Sequence, residues 1–187
     1  GTDTNTETVP GRGTYGFQGD FSTLTALSTG AQTGATGRIQ EGINLLSDGS
    51  LTGINRTLDV RAGTYGEAVD INKTGTLNLQ GAATLNSLTG LPATAVQLNA
   101  NTLTLGDATS FTYPGVISGA GGSLVKQGSG SFTLTATNGY SGSTVISNRT
   151  LFVNGSISSS AVTVGASGTM AGSGSTGIEA LTEAARA

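Results

Sequence analysis

The chain has 187 residues, enough for one domain with a sizeable core. Only 35% are hydrophobic, with five Phe, four Tyr, one Met and no Trp, so the core has to be built from Leu, Val, Ile and Ala in thin layers, which suits stacked strands better than packed helices. Eleven acidic and eight basic residues give a formal charge of −3 without any basic run, and Cys and His are both absent. That argues against nucleic-acid and anionic-membrane partners and removes disulfides, thiolate metal sites, cysteine catalysis, Ser-His-Asp triads and histidine bases.

The chain opens on GTDTNTETVPG, without the basic start and apolar core of a signal peptide. No run approaches the roughly eighteen apolar residues of a membrane span. A mature or trimmed chain with no transmembrane segment is expected. Residues 1–36 read as an extension ahead of the repeat. Within it, GTYGFQGDFSTLTAL carries Tyr15, Phe17 and Phe21, followed by Leu24, and a disordered tail should be poor in such residues. Tyr15 and Phe17 alternate as in a strand. The segment is expected either to lie along its own rod or to complete the edge of a neighbouring subunit, with Tyr15, Phe17, Phe21 and Leu24 as candidate assembly contacts.

Next, TGRIQEGINLLSDG places Ile39, Ile43 and Leu46 at helical spacing, with Thr36 as candidate N-cap and Gly49 just past the end. A short amphipathic helix over 37–47 is predicted, lying as a cap across the N-terminal end of the strand repeat. From about residue 50 the pattern changes to short alternating runs, Leu58/Val60, Val69/Ile71, Leu77/Leu79, Leu103/Leu105, Leu151/Val153 and Val162/Val164, the period of half-buried strands. NKTG, TGLP, GAGG, QGSGS and NGYSG between them are turn sequences.

A spacing of 19 links the runs. Leu58, Leu77 and Val96 fall on it, as do Val60, Leu79, Leu98 and Ile117. Leu105 leads to Leu124, Phe132 to Leu151 and Met170, Leu134 to Val153, and Val145 to Val164. A β-sandwich has short strands too, but no reason to keep 19. The prediction is an all-β coil of parallel strands, a β-solenoid, over 37–178, capping helix included, with roughly seven rungs about 4.8 Å apart and Leu58, Val60, Leu77, Leu79, Val96 and Leu98 facing inward. The columns lapse at Gly90, Gly115 and Ala136. In the final segment, 179–187, Leu181 and Ala185 share one side with Ile178, so a short C-terminal helix is expected, either a second cap or the start of a longer helix.

Residues 39–81, with IQEGI, TLDVRAGTYGEAVDIN and TLNLQG, resemble the opening turns of parallel β-helices of the pectate-lyase and pectin-methylesterase type. Residues 115–174, GVISGAGGSLVKQGSGSFTLTATNGYSGSTVISNRTLFVNGSISSSAVTVGASGTMAGSG, resemble the passenger-associated repeat of bacterial autotransporters, with Arg149 standing where the family pattern has Gly. The resemblance implies a right-handed parallel β-helix and export to the bacterial surface or medium, either as a piece of a longer passenger or as a small exported solenoid.

An enzyme would start from Asp59, Glu67 and Asp70, with Arg56 and Arg61 as clamps, since polysaccharide-active β-helices work with carboxylates, arginines and sometimes calcium. The spacing argues otherwise. Asp59 lies between inward Leu58 and Val60, and Asp70 between Val69 and Ile71, so both point outward from different faces. After Asp107 the next acidic residue is Glu179. The glycines of AGTYGE lack the pattern and following helix of a phosphate loop and read as a tight corner. The expectation is no catalytic, cofactor or metal site, and a non-enzymatic structural or adhesive element of a bacterial surface or matrix. Its partners would be copies of itself or cell-surface glycans. A polysaccharide lyase or esterase, or a non-catalytic glycan-binding module, is the alternative.

Overall fold

A computed structural model describes residues 7–9, 13–15, 23–29, 38–46, 56–177 and 179–181. β1 (Glu7–Val9) and β2 (Gly13–Tyr15) form a short antiparallel pair. β3 (Thr23–Ala26) and the helix α1 (Arg38–Leu45) precede the coil. The first turn of the coil is β4 (Thr57–Val60), β5 (Gly63–Thr64) and β6 (Ala68–Ile71), and the second is β7 (Thr76–Leu79), β8 (Ala83–Leu85) and β9 (Ser87–Gly90). The third is β10 (Ala95–Gln97), β11 (Thr102–Leu105) and β12 (Phe111–Tyr113), and the fourth is β13 (Val116–Gly119), β14 (Ser123–Lys126) and β15 (Phe132–Leu134). In the fifth, β16 (Gly139–Tyr140) leads into β17 (Thr144–Val153), and in the sixth β18 (Ser156–Ile157) leads into β19 (Val162–Ala171). β20 (Ser175–Thr176) and β21 (Glu179–Leu181) begin a further turn.

These strands stack in parallel into three faces. The first runs β3, β4, β7, β10, β13, β16, continuing through a Thr137–Ser156 bridge to β18 and β20. The second runs β5, β8, β11, β14, the first part of β17, the first part of β19, then β21. The third carries β6 on β9, then β12, β15 and the later parts of β17 and β19. The protein is therefore a parallel β-helix of six complete turns, with partial turns at both ends. The expected seven rungs from 50 to 178 are corrected to that extent.

Alternation explains the core. In β4 and β7 every second residue is buried, and Leu58 stacks on Leu77 and Val60 on Leu79. Val96 continues the first column, and Leu98 is fully buried beside it. The predicted ladder of six thus faces inward in one continuous core.

The step along the first face is 19 from Thr57 to Thr76 and from Thr76 to Ala95. It is 21 from Ala95 to Val116 and again from Ser118 to Gly139, then returns to 19 at Ser156 and at Ser175. Ile117 consequently stacks on Val96, not Leu98, and Leu124 stacks on Leu103, not Leu105. Val145 likewise meets Thr163, while Phe132, Leu151 and Met170 do share one column. The additional residues of the third and fourth turns sit in corners. One of those corners turns at Gly106, where φ is +129° and a side chain would strike the carbonyl oxygen of Gln127.

Of the two placements expected for the N-terminal segment, residues 23–26 take the one along their own rod: β3 pairs with β4, Leu24 on Leu58, because an open first rung presents unpaired N–H and C=O groups that the same chain can satisfy. The expected C-terminal helix is corrected. Residues 179–181 are strand, not helix. They pair with 162–164, since a ladder of backbone bonds on that edge outweighs the weak helical preference of so short a stretch. Residues 182–187, Thr36 and Gly49 lie outside the described residues. The helix itself is present, with Ile39, Ile43 and Leu46 buried, and it packs on β3, β4 and β6.

Candidate functional site

The carboxylates near the first turn are the obvious place to look for chemistry. Asp59, in β4 on the first face, accepts a 2.7 Å bond from Asn78 Nδ2, and Asn78 Oδ1 in turn accepts one of 3.0 Å from Asn99 Nδ2. This is a ladder of polar side chains climbing the outside of the rod. Asp70, in β6 on the third face, accepts from Thr89 Oγ1 at 3.0 Å. Arg56 donates to Thr74 O at 2.9 Å, and Arg61 is exposed. The structure does not bring Asp59 and Asp70 together, since they occupy different faces.

Glu67 behaves differently. It is buried at the corner before β6, and its two carboxylate oxygens accept from the backbone N–H groups of Ile39 at 3.0 Å and Gln40 at 3.1 Å, in the first turn of α1. A helix N-terminus carries unpaired donors and partial positive charge, so a carboxylate satisfies both. At the other end Lys73 Nζ donates to Asn44 O at 2.8 Å and Leu46 O at 3.0 Å. Between them, the Gln40 amide accepts from Asp70 N at 2.7 Å and donates to Asp70 O at 3.1 Å, doing for β6 what a neighbouring strand would do. Glu67 is therefore a clamp on the cap and not a solvated outer residue. Ser28 Oγ, donating to Ala62 O at 2.9 Å, and Tyr65 OH, donating to Arg61 O at 2.6 Å, finish the same end beside the second face.

Inside the coil, hydroxyls and one lysine sit among the aliphatics. Tyr113 bonds Thr94, and Tyr140 bonds Thr144, which bonds Ser160. Burial pushes both phenols up to about 12, against the lowering effect of those bonds. Lys126, fully buried in β14, donates from Nζ to Gln127 O at 2.6 Å, Gly128 O at 3.2 Å and Asn148 O at 3.4 Å. Burial lowers its pKa and Asp107 acts against that. Among the described residues no buried polar side-chain atom lacks a partner, and no three acidic side chains gather as a metal site.

The third face holds an open groove of about 620 Å³, walled by Thr89, Ser110, Thr112, Ser131, Thr133 and Phe152. Its floor includes Phe111, whose ring lies 4.6 Å from that of Phe132. Sequence reasoning missed it, although the outward register Thr112, Thr133, Phe152 is a period-two signal. Of the candidate assembly contacts, Leu24 lies on its own rod, partly buried against the core. Tyr15 ends β2, and Phe17 and Phe21 lie outside the described residues.

The fourth and fifth turns of this parallel coil carry the corner lysine and the LVKQGSGSFTL run that begins at Leu124. Residues 124–151 match the passenger-associated-transport repeat. No curated protein and no solved structure matches the chain. The repeat spans the β14–β17 part of the coil, inside the stretch whose sequence resembled it, so the protein is a parallel β-helix that carries an autotransporter passenger-like repeat over those residues. No helix among the described residues is long and apolar enough to cross a membrane.

Proposed function

We propose that the protein is a non-enzymatic, extracellular structural and adhesive solenoid that associates through its ends. The observation that carries this is the employment of the carboxylates. Asp59 is engaged in an inter-rung ladder, Glu67 holds the cap, and Asp70 bonds the next rung on another face. A carboxylate pair for acid and base work needs two groups converging on one substrate, and these diverge.

The two ends support self-association. From Thr150 to Ile178 there is no charged residue. Among the described residues no strand stacks on β20 or on the later part of β19, and these strands carry none of the charges and prolines that discourage edge pairing. Among the described residues β3 is the outermost strand of the first face at the opposite end.

Light scattering and negative-stain microscopy test assembly, comparing the full chain with a version lacking residues 1–20, which spares β3. Concentration-dependent oligomers in the full chain support the proposal, and monomers throughout refute it. Incubation with pectin and alginate, with and without calcium, tests catalysis. Product release that is lost on Asp59→Ala or Asp70→Ala would establish an enzyme instead.

A further inference from the structure

We infer that the groove on the third face is a binding site for an extended neutral glycan. This rests on the reading of the protein as an adhesive solenoid and names the ligand class of that adhesion. Thr112, Thr133 and Phe152 come from three successive turns in strict register, and Ser110 and Ser131 flank them. Every polar side chain in the wall is a hydroxyl, able both to donate and to accept, which is the requirement set by a sugar's own hydroxyls. Phe152 is partly exposed in the lining, an aromatic group of the kind on which the C–H face of a pyranose stacks.

Charge selects against acidic polymers. Recognition of a carboxylated or sulfated sugar calls for arginine or lysine in the wall, and the lining has neither. At the near end Asp70, bonded to Thr89, adds a negative charge that repels an anionic chain. Asp107 and Arg149, in the adjoining corners, are tied to Thr109 and to Ser129 O.

The groove also disfavours a peptide. Strand addition needs unpaired backbone groups, and β15, in the middle of the groove, is paired on both sides, with β12 and with β17, while β12 is paired with β15 on one side. A glycan needs no backbone edge. Rungs follow one another at about 4.8 Å, close to the rise of one sugar in an extended chain, so consecutive sugars meet consecutive turns. A volume of about 620 Å³ accommodates a few sugar units.

The test titrates the full-length protein with gluco-, manno-, galacto- and xylo-oligosaccharides of about six units, and with oligogalacturonate and oligomannuronate, by calorimetry and ligand-observed NMR. At least one neutral oligosaccharide should bind with Kd about 0.1–1 mM. Phe152→Ala should weaken it about tenfold or more, and Thr133→Glu should abolish it. Both side chains point out of the coil, so the thermal transition should not move. If Phe152→Ala lowers that transition, Thr112→Glu provides the same reading. Failure of every neutral oligosaccharide to bind at about 10 mM, tighter binding of the acidic ones, or undiminished binding in these variants overturns the inference. Oligomer formation, measured alongside, is expected to be unchanged by Phe152→Ala, so a failed groove is distinguishable from a failed solenoid assembly.

Discussion

Replacing Glu67 with alanine removes both acceptors that hold the start of α1, the bonds of 3.0 Å to Ile39 N and 3.1 Å to Gln40 N. Hydrogen bonds to a charged group contribute about 1.5–3 kcal/mol each, and the field of the helix end adds about 0.3–1 kcal/mol. Water can reach part of the freed helix end, which brings the loss down toward the usual capping range of about 0.5–2 kcal/mol. The balance is about 2–4 kcal/mol, charged against the docking of one helix and not against the whole coil. Hydrogen exchange of the α1 amides should therefore accelerate about 30- to 700-fold, while amides of β11, β14 and β17 keep their protection. Asp70→Ala is the control, because among the described residues its carboxylate meets Thr89 while its backbone meets Gln40. Unchanged exchange in 38–46 on Glu67→Ala, or an equal loss of protection throughout the coil, would refute the clamp.

Asn138 is buried and stands in for a missing backbone partner, accepting from Ile117 N at 2.8 Å and donating to Ala136 O and Ser156 O. Asn138→Ala leaves that amide unpaired and should cost about 2–3 kcal/mol in urea unfolding. Arg149 has φ of +58°, a conformation costing a residue other than glycine about 1–2 kcal/mol. After the entropy cost of glycine, Arg149→Gly should stabilise by about 0.5 kcal/mol, and Arg149→Val should destabilise by about 1–2 kcal/mol, both read as shifts in the same midpoint. Tyr113 and Tyr140 are held protonated in the fold, up to about 12 against an ordinary 10.0. A raised folded pKa gives stability that is intact below pH 10 and declines as the pH climbs from 10 through 12, by about 2–3 kcal/mol per group. Absorbance titration should show these two phenols ionising only with unfolding, and Tyr140→Phe should flatten the alkaline decline.

Much of the coil was legible because its alternation is local. Leu58, Val60, Leu77 and Leu79 announce their inward side within four residues, whatever the rest of the chain does. The change of step from 19 to 21 was hidden for a related reason. A shift of two residues keeps every side chain on the same face, so Leu98 and Ile117 look like column mates although Val96 is the true neighbour. β3 escaped because the chain between Leu24 and Leu58, helix included, breaks the period. For Glu67 a signal did exist. It is in phase with inward Val69 and Ile71, and a carboxylate on the inward side, near a helix in want of an anion, is a cap. Lys126 carries the same signal, in phase with Leu124. The groove needed three turns in register before its hydroxyls could be seen to converge.

The clamped helix gives the coil a direction. In a stack where each turn touches only its neighbours, melting proceeds like a zipper, from whichever end is easier to open. At one end, opening the first turn means breaking the contacts of Glu67, Lys73 and Gln40 before any rung is released. Release of the first rung therefore waits on release of the helix, and the cap's contacts are shared as protection by the rungs nearest to it.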